Sequence, residues 1–279
     1  MIKLASITQL ILALCCLTIL SACAHEPPTP QSIPTSKRLE TVRAKRTPQL
    51  AYELQESGLK LGSPVFIRTF KKEGILETWV LNSGTGTYEP FKSYKICAFS
   101  GGLGPKLREG DMQAPEGFYM VSAEQLNPKS AYHLSFDLGF PNSYDARRGR
   151  TGSLLMVHGN CKSQGCYAMG DRNIEEIYLL TEASIAAGHD VPVHIFPFKM
   201  NDENIYKNFS PLWITFWRNL QEGYDIFERT HTPPLVSDMY ERGRHQYAFQ
   251  DQKDVIYQLS LQLDAVQREF NEFRDTDQE

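Results

Sequence analysis

Between residues 64 and 158 the chain returns again and again to short segments with apolar side chains at every second position, each cut off by Gly, Pro, Asn or Asp. Segments 64–70, 77–81, 94–99, 117–121, 132–136 and 153–158 all read this way. A period of two places alternate side chains on opposite faces of a pleated strand. Such a chain hides the apolar face of each segment only by pairing the segments into sheets. The many turn signals between them suit a sandwich or barrel-like β arrangement. One interruption is sharper than the rest: the run from Ser100 to Pro105 contains three glycines and belongs to no strand.

The period changes after residue 166. Asp171 is placed to cap a helix whose apolar face holds Ile174, Ile177, Leu180 and Ile185, and Gly188 ends it. Residues 191–198 read as a strand again. Ser210 and Pro211 open a further helix that Gly223 is expected to close. Residues 254–273 space Leu and Phe at helical intervals among many charges, which predicts an exposed helix packed on the core or partly disordered. Upstream, Thr47 is placed to cap a short helix with Pro48 in its first turn and Gly58 at its end. The fold class expected is mainly β with peripheral helices (α+β).

The amino terminus speaks to compartment. Lys3 gives a positive start, residues 4–20 are apolar and uncharged, and small residues follow. This is the pattern of a secretory signal rather than a membrane span. Leu20-Ser-Ala-Cys23 resembles the lipobox of bacterial lipoproteins, which implies a lipid on Cys23 and an anchor in the inner leaflet of the outer membrane, facing the periplasm. Four prolines between His25 and Pro34 make a polar tether. The divisions expected are 1–22 signal peptide, 23–46 lipidated Cys and tether, 47–200 catalytic domain with a short leading helix, and 201–279 helical extension. A formal net charge of −4 without a basic block gives no reason to invoke nucleic acid.

Of six cysteines, Cys15 and Cys16 leave with the signal and Cys23 takes the lipid. Cys97, Cys161 and Cys166 remain, and in an oxidising compartment an odd count suggests one pair and one working thiol. A Cys97–Cys161 disulfide is expected on that ground. It leaves Cys166, which stands in the run His158-Gly-Asn-Cys-Lys-Ser-Gln-Gly-Cys166. An imidazole in reach of a thiol can take its proton, and nearby backbone N–H groups with a following helix favour the anion. Gly165 lets the backbone approach a substrate, so the amides of Gly165 and Cys166 are candidates for an oxyanion, and the Gly159 carbonyl for orienting His158. A zinc site using His158, Cys161 and Cys166 is the competing reading, but it lacks a fourth ligand and leaves Ser163 without a role.

His158-Gly159, Ser163, Gly165-Cys166 and the string Cys166-Tyr-Ala-Met169 resemble the signature of the YkuD-type L,D-transpeptidases, and of their YafK-like branch in particular. The resemblance extends to Ser100–Lys106, 109–111, 115–119, 140–142, Asp145, 149–152 and 195–198. It implies a β-rich catalytic domain, no metal or organic cofactor, and two-step acyl transfer on the diaminopimelate-containing stem peptides of peptidoglycan. Cys166 matches the nucleophile, His158 the base and Ser163 the signature serine. Two departures stand out: Gln164 occupies the place of a second His, and Tyr167-Ala-Met169 replaces the usual Arg or Asn. Carboxylate recognition is therefore assigned to Arg147, Arg148, Arg150 and Lys106, and Tyr167 and His133 are further substrate-binding candidates. A solvated or structural role is the alternative for each. Resolution of the thioester by water would make the chain instead a hydrolase freeing a wall-linked lipoprotein. A non-catalytic wall-binding lipoprotein is the third reading.

Overall fold

A computed structural model describes residues 32–241 and 243–276. The expected signal, Cys23 and the tether as far as residue 31 lie outside the described residues. The first helix, α1 (Lys37–Glu56), is capped at Ser36, eleven residues before the Thr47 cap that the sequence suggests. Ser36 caps it by accepting a hydrogen bond from the Leu39 amide. Pro48 lies inside α1 rather than at its start, and residues 37–46 are helix rather than tether. Tertiary packing outweighs the lost backbone bond: Leu39, Val42, Leu50 and Leu54 are buried, and Arg43 and Arg46 pair with Glu182 and Glu175.

Five strands form the first sheet: β1 (Val65–Phe70), β2 (Ile75–Asn82), β3 (Thr87–Lys95), β5 (Gly117–Val121) and β10 (Val191–Phe196), in the order β3-β2-β1-β10-β5. β1 and β10 run parallel, and the other pairs are antiparallel. The second sheet holds shorter strands: β4 (Ala98–Phe99), β6 (Leu126–Asn127), β7 (Ser135–Asp137), β8 (Met156–His158) and β9 (Tyr167–Ala168), in the order β4-β9-β8-β7-β6. The segments 132–136 and 153–158 are strands only in their second halves. His133 and Leu154 adopt left-handed conformations, φ 69° and 55°, which end the ladder there. The segment 94–99 likewise splits between β3 and β4.

α2 (Ser143–Arg147) is a single capped turn. α3 (Asp171–Ala186) packs on β1 and β10 of one sheet and on β7 and β8 of the other. That explains why its buried residues include a consecutive run from Ile177 to Glu182 rather than a single stripe. α4 (Asp202–Lys207) leads to α5 (Ile214–Thr230), which runs through Gly223 instead of ending there. A Cβ at Gly223 would stand 2.5 Å from the Phe249 ring and 2.8 Å from the Phe118 ring, so the glycine serves close packing. Phe249 belongs to a hairpin the periodicity did not suggest, β11 (Leu235–Glu241) with β12 (Arg244–Gln250). Its strands are largely half-exposed, which blurs their alternation. α6 (Gln252–Thr276) follows, with Ile256, Leu259, Leu263 and Val266 exposed.

Candidate active site

β8 and β9 run parallel, with His158 opposite Ala168. Cys166 stands two residues before Ala168, so strand alternation carries its side chain toward the face of His158 on the neighbouring strand. The Met156 amide points at Cys166 Sγ from 3.4 Å, and the Leu154 carbonyl lies 3.6 Å from the same sulfur. Thiol and imidazole are thus set by two adjoining strand ends and the residues next to them.

His158 is almost wholly buried. Its Nδ1 lies 2.5 Å from the Gly159 carbonyl oxygen. A carbonyl only accepts, so Nδ1 carries the hydrogen and Nε2 keeps a free lone pair. Burial lowers the imidazole pKa below its usual value, with the Gly159 carbonyl opposing in part. The ring is therefore neutral and able to take a proton at neutral pH. The loop that carries it fits only glycine at 159. A Cβ there would stand 2.7 Å from both Tyr132 O and Asp171 Oδ1, and 2.8 Å from His133 Cβ.

The Cys166 thiol is pushed up, first by burial and then by Asp137, while the Met156 amide and Lys106 pull it down. This corrects the expectation of a thiolate favoured by a helix terminus. β9 and two further residues separate Cys166 from Asp171, the first residue of α3. The resting thiol and imidazole are both neutral and are set by adjoining strands, and the nucleophile needs its base.

Ser163 holds the turn before the thiol: its hydroxyl donates to the Cys166 carbonyl at 2.7 Å and accepts from the Gly165 amide at 3.3 Å. Gly165 has φ 120°, a conformation that favours glycine. The Gly165 N–H is thus turned to Ser163 in this state, and its place as an oxyanion donor is not occupied. A disulfide joins Cys97 to Cys161, with the Cα atoms 5.3 Å apart, and clamps the 159–165 loop to the end of β4. It consumes the third ligand that a zinc reading requires. Cys166 is the free thiol among the described residues.

Over 178 residues, 63% of this chain and 72% of the relative, the sequence is 46% identical to "Putative L,D-transpeptidase YafK" of Escherichia coli K12, and the same holds for its O157:H7 counterpart. The chain belongs to the YafK-like L,D-transpeptidase family. No family model matches it. Among solved structures it is similar to the helical cell shape determining protein Pgp2 from Campylobacter jejuni, with a TM-score of 0.40, 20% identity, and coverage of 72% of this chain and 92% of that one. Bd1075 of Bdellovibrio bacteriovorus gives a TM-score of 0.35 at 15% identity, covering 67% and 86%.

Within this L,D-transpeptidase fold the expected substrate contacts fare unevenly. Tyr167 is fully buried and its hydroxyl donates to the Pro115 carbonyl at 2.7 Å, so it is a core residue and not a substrate contact. Its place opposite Val157 on the buried face of β9 dictates that. Lys106 is buried, with Nζ bonded to Asp111 at 2.6 Å and to the Arg108 carbonyl at 2.9 Å. Arg150 is buried in an ion pair with Asp145 at 2.6 Å. Arg147 pairs with Asp238. His133 Nε2 lies 3.0 Å from Glu175, and His133 shapes the loop behind Gly159. Those four side chains are already partnered.

The sequence did not single out four residues around the site. Tyr132 stacks on the His158 ring, and Asp137 acts on the thiol through its charge. Lys71 and Glu116 form a fully buried ion pair at 3.1 Å beneath the glycine-rich loop. Glu116 also accepts from the Gly104 amide at 2.7 Å and from Trp217 at 2.9 Å. Lys71 donates to the carbonyls of Gly104 and Ala114, both at 3.0 Å. Only a tertiary fold brings these residues together.

Proposed function

We propose that this chain is a periplasmic cysteine acyltransferase acting on diaminopimelate-containing peptidoglycan stem peptides. The observation that carries the reading is the free thiol of Cys166 just before the strand paired with that of a buried, neutral His158 whose Nε2 is left as acceptor. His158 Nε2 takes the thiol proton as sulfur attacks the peptide carbonyl. Backbone amides at Gly165 and Cys166 bear the developing oxyanion once the substrate carbonyl displaces the Ser163 contact. The tetrahedral adduct expels the amine, which leaves with the proton from the imidazolium, and an acyl thioester remains on Cys166. An amine then attacks the thioester, gives its proton to His158, and restores the thiol. No step calls on a metal or an organic cofactor. A lipid on Cys23 and the residues up to Ser36 as tether bring the domain from the outer membrane to the wall.

Mass spectrometry of purified full-length protein, wild type and Cys166→Ala, with defined muropeptides tests this. The expected result is consumption of tetrapeptide, release of D-alanine, a thioester mass on Cys166 and cross-linked dimers, all absent in the variant. Thioester followed by tripeptide and a free lysine-bearing fragment replaces the transferase with a hydrolase. No adduct on either substrate leaves a non-catalytic wall-binding protein.

A further inference from the structure

The hairpin β11–β12 packs on α2 and α5, and a cavity of about 310 Å³ lies among them. Its charged lining is all cationic: Arg148, Arg150, Arg244 and, when protonated, His245. Asp145 neutralises Arg150 from behind. Arg148 donates to the His245 carbonyl at 2.6 Å and lies 4.9 Å from the Tyr144 ring centroid, with no carboxylate partner among the described residues. Arg244 is exposed and likewise has no ion pair among them. Two guanidinium groups without an ion pair among the described residues therefore share one concavity lined by Trp213 and Phe216, with Glu241 across the hairpin from Arg244 as the nearest carboxylate on that strand pair. Like charges gathered this way repel each other, and an anion between them relieves the repulsion. The guanidinium fork matches a carboxylate, and the aromatic walls suit the body that carries it.

A short stretch of chain links the cavity to the surroundings of the thiol. Residues 151–154 run from Arg150 to the Leu154 carbonyl, which lies 3.6 Å from Cys166 Sγ. Four residues span at most about 14 Å. On the other side the Trp213 indole nitrogen lies 2.7 Å from where a Cβ on Gly104 would stand, so the glycine-rich loop adjoins the cavity.

We infer that this cavity binds a free carboxylate of the peptide acylated at Cys166, at a point several bonds from the scissile amide. The inference rests on the stem-peptide reading above and adds the residues that hold the substrate's charge, Arg148 from the end of α2 and Arg244 from the start of β12. The buried partners Lys106 and Arg150 are left to the fold.

The test compares the full-length protein with Arg244→Gln, Arg148→Gln and Arg244→Lys, using a tetrapeptide stem with free carboxylates and the same peptide with its carboxylates amidated. Loss of one charged hydrogen bond predicts a KM about tenfold higher in each Gln variant, with kcat within about twofold. The effect should vanish on the amidated peptide, and Arg244→Lys should recover part of it. Calorimetry in the Cys166→Ala background reads binding without turnover and should show the same tenfold weakening, and added salt should narrow that difference. Turnover with a KM indifferent to both arginines overturns the cavity alone. Arginine-dependent binding without any thioester in the wild type overturns the catalytic reading alone. Failure of the tetrapeptide to bind Cys166→Ala overturns this inference as well.

Discussion

The ring of Tyr132 lies on that of His158, with centroids 4.7 Å apart and planes 28° apart. Together with the fold around it, this ring keeps water from the imidazole, and burial is the cause that lowers its pKa. The base must be neutral to work, so activity is lost as pH falls through the lowered value. The acid limb of kcat/KM is expected to have its midpoint below about 6.5, the usual histidine value. Tyr132→Ala wets the ring and should move that midpoint upward. A wild-type midpoint at or above 6.5 would count against His158 as a buried neutral base.

Gly159→Ala places a methyl group against Tyr132 O, Asp171 Oδ1 and His133 Cβ at once. Two of these belong to the backbone or to the root of a side chain and cannot swing away, so the loop must move. Overpacking of this kind costs about 1–3 kcal/mol. The carbonyl that orients His158 moves with the loop, and kcat should fall at least about tenfold. Denaturant unfolding and steady-state kinetics on the same preparation check both parts.

Lys71 and Glu116 are both fully buried, and each side chain makes further hydrogen bonds to the 104–114 loop region or to Trp217. Glu116→Ala leaves an ammonium group without its counter-charge in a place where burial already lowers the Lys71 pKa. Removing one partner of such a pair typically costs about 3–5 kcal/mol. The double change Lys71→Met with Glu116→Leu should be less harmful than Glu116→Ala alone. Urea midpoints in the reverse order would mean that the pair contributes shape and not charge.

The Cys97–Cys161 bond closes a sequence separation of 64 residues. By the chain-entropy relation, opening it should lower stability by about 4 kcal/mol. The double variant Cys97→Ser, Cys161→Ser should show this in urea, together with a lower kcat, because the clamp holds the loop that ends at Cys166. Equal stability with and without the bond would place the clamp's whole effect elsewhere.

Much of the first sheet was legible because β1, β2, β5 and β10 are apolar runs bounded by turn residues. The second sheet was less so: left-handed residues at His133 and Leu154 cut its strands to three residues or fewer, too short for a period to establish itself. α1 was misplaced because Pro48 reads as a start locally, whereas the packing of Leu39 and Val42 sets the start globally. His158, Ser163, Gly165 and Cys166 were readable since they fall within one run of nine residues. Tyr132, Asp137 and the Lys71–Glu116 pair reach the site from distant segments, and nothing local distinguishes them. The same distance hid the Tyr167 hydroxyl's partner, which turned an apparent substrate contact into a core residue.

One buried histidine outside the site is expected to contribute to the acid sensitivity of the fold. His194 lies on β10 between the rings of Phe66 and Phe118, at 4.7 and 4.6 Å, and its Nδ1 has no hydrogen-bond partner among the described residues. Burial, reinforced by the Arg68 charge, lowers its pKa to about 3. The folded pKa lies below the unfolded one, so the folded state prefers the neutral ring. The associated stability is fully present above the unfolded value of about 6.5 and is lost as pH falls toward 3. The loss amounts to at most roughly 5 kcal/mol at about 1.4 kcal/mol per unit of difference. His194→Phe keeps the aromatic contacts and removes the titration. Its stability, followed by urea unfolding from pH 7 to pH 4, should decline less steeply than the wild type's. Parallel slopes in the two proteins would show that the acid sensitivity resides in other groups, with Asp137 and Asp145, both raised by burial, acting in the opposite sense.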